Sequence, residues 1–251
     1  MAAAIGTIEE PQGDNILSPP STSSDVFLVA KAPPTIHYIP NFISIEEEER
    51  LLEQIGSAPK PKWEYLSNRR LQNWGGIVGK KALIPDDNMP EWLTWCIDKI
   101  AALEFTFPVE NKPNHVLINE YLSGQGIMPH TDGPAFFPTV STISLGSHTL
   151  LDFYKTVDEN HPATLESRYV GSMLLERRSL ILIKDSAYKD MMHGIAERAT
   201  DTITEHVFNL DKTKWSIGDE LTRDTRVSLT IRNVPKVSKL GLQSILRGKA
   251  T

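Results

Sequence analysis

The strongest constraint on the fold of this chain is a change in hydrophobic period near residue 114. After that point, short runs rich in β-branched residues alternate apolar and polar positions, and Gly, Pro or polar loops separate them. Several such runs in series are typical of an all-β sandwich or a closed double sheet. The predicted strands are HVLINEYL, TVSTISL, HTLLDFY, SLILIK and RVSLTIR. We expect two irregular stretches between them, at about 155–172 and 195–222.

The segment before this β core predicts two helices. In the first, SIEEEERLLEQI, Ser44 and Glu47 have the spacing of a capping box. The second covers about residues 90–103, where Pro90 fits the first turn and apolar residues recur at helical spacing. The sequence therefore predicts an α+β fold in which helices flank a β core.

Composition limits the classes of function. The chain has 251 residues, of which 40% are hydrophobic and 23% charged, as expected for one globular domain. A net charge of −6 lacks the global positive field of a non-specific nucleic-acid binder, so any such binding must use a local patch. With a single cysteine, Cys96, and no secretory signal or long apolar run, we expect a soluble protein of a reducing compartment without membrane contact.

Both ends of the chain are predicted to be tails. Residues 1–31 contain the Pro/Ser-rich stretch GDNILSPPSTSSD, which has little apolar periodicity and predicts a disordered segment. Residues 243–251 are mildly basic and are expected to form a solvated tail.

His130 and Asp132, in MPHTDGP, are the first candidates for chemistry. Residues i and i+2 of an extended backbone point to the same face with about 7 Å between their Cα atoms, which two ligands of one metal ion can bridge. A solvated loop is the simpler interpretation of such a pair on its own. His193 is the candidate third ligand, because it follows the buried run SLILIK by a short connection and precedes a glycine.

Two histidines and one carboxylate form the facial triad of non-haem iron(II), which leaves coordination positions open for oxygen and a bidentate cosubstrate. Zinc accepts similar ligands, but a hydrolytic zinc site would normally need a general-base carboxylate nearby.

The strand RVSLTIR, at 226–232, allows two interpretations. Its polar side chains share one face: Arg226, Ser228, Thr230 and Arg232. The simpler interpretation is a half-exposed strand with this face in water. In the other, the face points into a barrel, where two guanidiniums need anions to offset their desolvation and a dicarboxylate cosubstrate supplies them. Asn119 and Tyr121 share a face of HVLINEYL and could orient the same anion.

In their order along the chain, these motifs resemble the AlkB family of iron(II)- and 2-oxoglutarate-dependent dioxygenases. The matching elements are NEY at 119–121, HTD at 130–132, His193 and RVSLTIR at 226–232. The similarity extends over about residues 32–242 and implies a single domain there, a double-stranded β-helix (jelly roll) with flanking helices.

The resemblance also implies roles for the site residues. His130, Asp132 and His193 would bind Fe(II), with no catalytic side chain beyond these ligands, and Arg226 would pair with the distal carboxylate of 2-oxoglutarate. Four more residues would contact the cosubstrate or brace those that do: Asn119, Tyr121, Ser228 and Arg232. Ser228 is a departure, because many AlkB relatives carry asparagine there and a hydroxyl offers fewer hydrogen bonds than an amide.

A basic, aromatic segment at about residues 60–82 predicts a nucleotide-recognition lid, since bases stack on aromatic rings and phosphates attract Lys and Arg. Its candidate residues are Trp63, Tyr65, Arg69, Arg70 and Trp74. Phe136 and Phe137 could stack a flipped base. The sequence equally allows Trp63 and Trp74 to anchor the segment to the core, and the two phenylalanines to be core residues.

The reaction that the resemblance implies is oxidative demethylation with O₂ as cosubstrate, which gives succinate, CO₂ and, from an N-methyl group, formaldehyde. Alkylated RNA or single-stranded DNA is the expected substrate, and we expect a monomer of nucleus and cytoplasm. Two alternatives remain open at this point: the same chemistry on a methylated protein side chain, and a nucleic-acid-binding protein with little turnover.

Overall fold

Short strands dominate the computed structural model of the chain, which describes residues 24–80, 82–86, 88–157, 163–239 and 241. Within these ranges the strands are β1 (Ile36–Ile39), β2 (Glu64–Leu66), β3 (Arg69–Trp74), β4 (Gly76–Val78), β5 (Leu83–Pro85), β6 (His115–Tyr121), β7 (Ile127–His130), β8 (Thr139–Leu145), β9 (Thr149–Lys155), β10 (Tyr169–Leu175), β11 (Leu180–Lys184), β12 (Met191–Ile195), β13 (Thr200–Thr202), β14 (Glu220–Thr222) and β15 (Arg226–Arg232). The α-helices are α1 (Ile45–Gly56), α2 (Glu91–Ala101), α3 (Leu165–Arg168) and α4 (Asp185–Lys189).

Two antiparallel sheets form the core of the fold. The larger has the order β1-β11-β8-β15-β6-β3-β2, and the smaller has the order β10-β9-β12-β7. Along the chain, strands β6 to β12 and β15 are distributed over both sheets, as in a jelly roll. The predicted jelly-roll core with flanking helices is confirmed.

Helices α1 and α2 cover the outer face of the larger sheet. The capping box at Ser44 and Glu47 starts α1 as predicted, and Leu51 and Leu93 pack in one cluster with the apolar face of β15, which includes Leu229. Burial of each such side chain contributes roughly 1.5–3 kcal/mol. Because its odd positions serve this cluster, the even positions of β15 face the other sheet.

A second cluster joins the inner faces of both sheets. It includes Phe153 of β9 in the smaller sheet and Ile183 of β11 in the larger. Apolar side chains therefore fill one part of the space between the sheets. Another part of this space is an open cavity.

The stretches expected to be irregular contain regular structure. β10 begins at Tyr169, and β13 and β14 pair with each other between residues 200 and 222. The strands β7 and β12 were also outside the predicted set, because IMPH and MMHGI are short and contain Pro or Gly, which are poor strand formers. Pairing with neighbouring strands, not local preference, makes these segments extended.

The ordered domain begins before residue 32. Val29 is 3% exposed and packs in the second cluster, and Leu28 bridges His37 of β1. Residues 1–23 of the predicted N-terminal tail and all of the predicted tail at 243–251 lie outside the described residues. No helix in the described part of the chain has the length and apolar character needed to cross a membrane.

Candidate metal centre

His130 and His193 lie side by side on neighbouring strands. His130 is the last residue of β7, and it is the direct antiparallel partner of His193 on β12. The centres of the two imidazole rings are 4.7 Å apart. Directly opposed residues of an antiparallel pair place their side chains on one face, so both rings face the same space.

Asp132 completes a cluster of three ligand atoms. One ligand atom from each of His130, Asp132 and His193 lies within 4.8 Å of the others. Asp132 Oδ1 accepts a hydrogen bond of 2.7 Å from Arg232 Nη1, whereas Oδ2 is buried without a hydrogen-bond partner in the described part of the chain, 4.0 Å from His193 Nε2. A buried carboxylate oxygen without a donor is unfavourable, and this donor set is the one that Fe(II) accepts. The residues present therefore fit the metal.

The protonation states of the three residues suit metal binding. Burial lowers the pKa of His193 to about 4, so its imidazole is neutral near pH 7. Burial raises the pKa of Asp132, but the nearby His193 and Arg232 outweigh it, and the net pKa is lowered. His130 Nδ1 lies 2.9 Å from the carbonyl oxygen of Met128. An N–H at that nitrogen donates to the carbonyl and leaves Nε2 with a lone pair for the metal.

A cavity of about 480 Å³ between the two sheets contains this cluster. Its walls include the predicted polar face of β15 and two residues of β6: Arg226, Ser228, Thr230, Arg232, Asn119 and Tyr121. The polar face of RVSLTIR thus points into the barrel, and the simpler interpretation of a water-facing strand is wrong. The reason is that the apolar face of β15 packs under the helices, which the strand sequence alone does not reveal.

Arg226 is a buried cation. It is 4% exposed; its Nη2 donates to Ser144 Oγ at 2.9 Å, and its Nε is buried without a partner among the residues that the structure describes. Among the described residues, no carboxylate forms an ion pair with it. Burial lowers the pKa of Arg226 to about 10, which leaves it charged at neutral pH. A buried charge is costly without a counter-ion, so this end of the cavity fits an organic anion.

The sequence places the chain among known proteins. Residues 78–232 match the 2OG-Fe(II) oxygenase superfamily. The chain belongs to this superfamily. This 2OG-Fe(II) oxygenase is 51% identical over 219 residues to the "Probable RNA/DNA demethylase ALKBH6" of Danio rerio. The alignment covers 86% of this chain and 92% of the relative. The predicted membership of the AlkB family, with likeness to its sixth eukaryotic homologue, is confirmed.

More distant relatives share the same extent of chain. The "Uncharacterized protein L905" of Acanthamoeba polyphaga mimivirus is 30% identical over 203 residues, with 79% of this chain and 84% of the relative aligned. The solved structure of OsALKBH1 superposes with a TM-score of 0.52 at 16% identity, and it covers 80% of this chain and 99% of that one. The last comparison shows the shared fold alone. As a 2OG-Fe(II) oxygenase, this enzyme is a dioxygenase that uses Fe(II) and 2-oxoglutarate, as predicted.

The segment predicted as a lid is a hairpin that extends the larger sheet. β2 and β3 pair with each other, and β3 pairs with β6. Alternate residues of a strand point to opposite faces. Arg69 lines the cavity, whereas Arg70 lies on the other face, where its Nε donates to Glu120 Oε1 at 2.7 Å and its guanidinium lies 4.0 Å from the centre of the Trp63 ring.

The aromatic residues of this hairpin do not reach the cavity. Trp63 is 9% exposed within the cluster under the helices, and Trp74 packs against that cluster. Tyr65 is 68% exposed and is the pairing partner of Arg70, so it shares the face away from the cavity. Trp63 and Trp74 therefore anchor the hairpin to the core, which is the second of the two interpretations that the sequence allowed.

Phe136 and Phe137 also have other contacts. The Phe136 ring lies 4.0 Å from the guanidinium of Arg232, and Phe137 packs against the cluster under the helices. Neither lines the cavity. The interpretation of these two rings as packing residues is the one the structure supports, and Phe136 steadies the arginine that holds Asp132.

Tyr188 was not predicted from the sequence. Its hydroxyl donates a hydrogen bond of 3.0 Å to the carbonyl oxygen of Gly133, the residue after Asp132. Tyr188 lies on the short helix α4, far along the chain from the His-x-Asp pair, and no motif in the sequence marks it.

Proposed function

We propose that this dioxygenase demethylates alkylated RNA or single-stranded DNA, with His130, Asp132 and His193 as its iron ligands. The observation that carries the proposal is the convergence of these three side chains and the unpaired Arg226 on one cavity. The substrate class is supported by the relative from Danio rerio, which is named a probable RNA/DNA demethylase. We also propose that the enzyme acts as a monomer.

The protein's own residues prepare the metal site. Arg232 occupies one oxygen of Asp132 and thereby leaves the other free to bind iron beside His193. The Met128 carbonyl fixes the ring of His130 in the tautomer that ligates through Nε2. When bound, Fe(II) and 2-oxoglutarate supply the oxidising power that, with O₂, converts an N-methyl group to formaldehyde while 2-oxoglutarate becomes succinate and CO₂.

The opposite end of the cavity orients the cosubstrate. Arg226 would pair with its distal carboxylate, which satisfies the buried guanidinium. Tyr121, the direct partner of Arg226 on β6, and Asn119 would donate further hydrogen bonds, and Ser228 would offer a hydroxyl from β15. Apolar side chains of the cavity lining, Leu151 among them, exclude water from the space between the two ends.

The charge of the cavity favours an anionic substrate over a cationic protein side chain. Among the described residues, three arginines and one acid line it: Arg69, Arg226, Arg232 and Asp132. The chain as a whole carries a net charge of −6. Together these side chains leave the cavity a net positive charge, and a bound Fe(II) ion and a 2-oxoglutarate dianion would cancel each other. The remaining positive charge supports nucleic acid over methylated lysine or arginine as the substrate.

The test compares the two substrate classes directly. Purified protein is supplied with Fe(II), 2-oxoglutarate and ascorbate, and with N-methylated single-stranded RNA, the same sequence as DNA, or N-methylated basic peptides. Loss of the methyl mass and stoichiometric formaldehyde from an oligonucleotide, absent in His193→Ala, is the expected result. Demethylation of the peptides alone would overturn the proposed substrate.

A further inference from the structure

Arg69 lines the cavity with most of its hydrogen-bonding capacity unused. Its Nε donates to Asn119 Oδ1 at 3.1 Å. In the described part of the chain, no carboxylate forms an ion pair with its guanidinium. Its neighbour Arg70 differs, because it is paired with Glu120 on the opposite face of β3. Within the described ranges, Arg69 is thus a second cation that faces the cavity without a counter-ion.

The two unpaired guanidiniums lie on either side of Tyr121. Arg226 on β15 is the direct partner of Tyr121 on β6. On the other side of β6, Arg69 is one residue beyond the pair formed by Arg70 and Glu120, which places it opposite Tyr121 from β3. Burial raises the pKa of Tyr121, and the positive charges of Arg226 and Arg69 both oppose that rise. The phenol therefore lies within the field of both.

Arg69 also fixes the orientation of the Asn119 amide. A guanidinium can only donate, so the atom of Asn119 that faces it must be the carbonyl oxygen. The amide nitrogen is then the end that remains to donate within the cavity that Asn119 lines. Directly opposite Asn119 on β15 is Ser228, which offers a hydroxyl to the same cavity.

We propose that Arg69 is a second guanidinium of the cosubstrate site. With Arg226 it flanks Tyr121 and supplies positive charge for the distal carboxylate of 2-oxoglutarate, and it turns the Asn119 donor towards the same molecule. The inference rests on the proposed role of Arg226.

The test measures binding without turnover. The dissociation constant of 2-oxoglutarate is measured by calorimetry on Mn(II)-loaded protein, for wild type, Arg69→Gln, Arg69→Ala and Arg226→Gln. Arg70→Gln is the matched control, because the adjacent arginine faces away from the cavity. The same series is repeated with 2-oxopentanoate, which has the length of 2-oxoglutarate but no distal carboxylate. Unfolding temperatures of all variants report whether each protein is folded.

Loss of a hydrogen bond to a charged group weakens binding by about tenfold or more. We therefore expect Arg69→Gln and Arg69→Ala to bind 2-oxoglutarate at least about tenfold more weakly than wild type, with little change for 2-oxopentanoate and none for Arg70→Gln. Wild-type binding in folded Arg69 variants, together with weakened binding in Arg226→Gln, would overturn the role of Arg69 and leave the proposed role of Arg226 in place. Equal weakening in Arg70→Gln would overturn it as well, because the effect would then belong to the hairpin. Unchanged binding in Arg226→Gln would instead reject the proposed cosubstrate site.

Discussion

Glu48 shows how a single buried residue holds the outer helix to the sheets. Its side chain is fully buried on α1 and accepts hydrogen bonds from the guanidiniums of Arg177 and Arg178 and from the backbone N–H of Gly146. Hydrogen bonds to a charged group contribute roughly 1.5–3 kcal/mol, and the two arginines that remain after its removal are partly exposed to water. We predict that Glu48→Gln lowers the free energy of unfolding in urea by roughly 1.5–3 kcal/mol. A loss below about 1 kcal/mol would mean that the pair behaves like an exposed one.

The same residue predicts a pH dependence of stability. Burial raises the pKa of Glu48, but the hydrogen bonds from Arg177, Gly146 and Arg178 outweigh it, so the folded pKa lies below the ordinary value of 4.5. A lowered folded pKa adds stability that is complete above the unfolded pKa and is lost as pH falls through the folded value. The stability difference between wild type and Glu48→Gln should therefore shrink below pH 4.5. A difference that stays constant from pH 7 into acid would contradict this assignment.

At the same scale, the sequence identified the site residues unevenly. His130 and Asp132 were recognisable because side chains two residues apart in an extended backbone point to the same face. The sequence left two interpretations open for the aromatic residues of the hairpin, because their face depends on how β3 pairs with β6, which composition does not encode. Arg69 and Arg70 are adjacent in sequence, yet only the first faces the cavity.

At the scale of elements, the metal centre depends on how closely β7 approaches β12. Gly194, next to His193, has no room for a side chain: a Cβ there would lie 2.9 Å from the carbonyl oxygen of Ile127 and from the nitrogen of Pro129. Because both are backbone atoms, an added methyl group must push the strands apart and separate His193 from His130.

We therefore predict that Gly194→Ala weakens Fe(II) or Mn(II) binding by about tenfold or more, in a titration followed by calorimetry. Gly56→Ala is the control, since nothing lies within 4 Å of a Cβ built there at the end of α1. Metal binding by Gly194→Ala that equals that of Gly56→Ala would show that the strand pair tolerates the shift.

A second element positions the loop that carries Asp132. The hydroxyl of Tyr188 on α4 holds the carbonyl of Gly133. Loss of one such bond lowers stability by only about 1 kcal/mol, but it frees the loop next to a ligand. We predict that Tyr188→Phe reduces metal affinity by about tenfold while the unfolding temperature changes little. Unchanged metal affinity in this variant would assign Tyr188 to packing alone.

The elements themselves were predictable where burial and period agree. β6, β8, β9, β11 and β15 were predictable as strands because one or both of their faces are rich in apolar residues. β7 and β12 carry the two histidines, and functional residues, Pro and Gly take the places of strand-forming residues there. These strands exist because their neighbours pair with them.

At the scale of the whole molecule, the sequence predicted the family of enzymes, and the structure showed which side chains line the cavity. An acidic chain encloses a cavity in which arginines outnumber acids. A protein that neutralises only a few phosphates through such an opening loses affinity moderately with salt, in proportion to the number of phosphates contacted. Gel shifts of single-stranded RNA over a range of salt should give a measurable slope that Arg69→Gln leaves unchanged, since Arg69 is assigned to the cosubstrate. A flat salt dependence would favour a protein substrate.

We propose that His130 and Arg226 serve one reaction from opposite ends of one cavity. The most direct test is succinate formation from 2-oxoglutarate with Fe(II) and ascorbate under air, with and without methylated oligonucleotides, in wild type, His130→Ala and Arg226→Ala. We expect that wild type forms succinate, that methylated RNA or DNA increases it, and that either substitution reduces it to background in protein that remains folded. Succinate formation that survives His130→Ala, or its absence from folded, iron-loaded wild type, would show that the cavity does not work in this way.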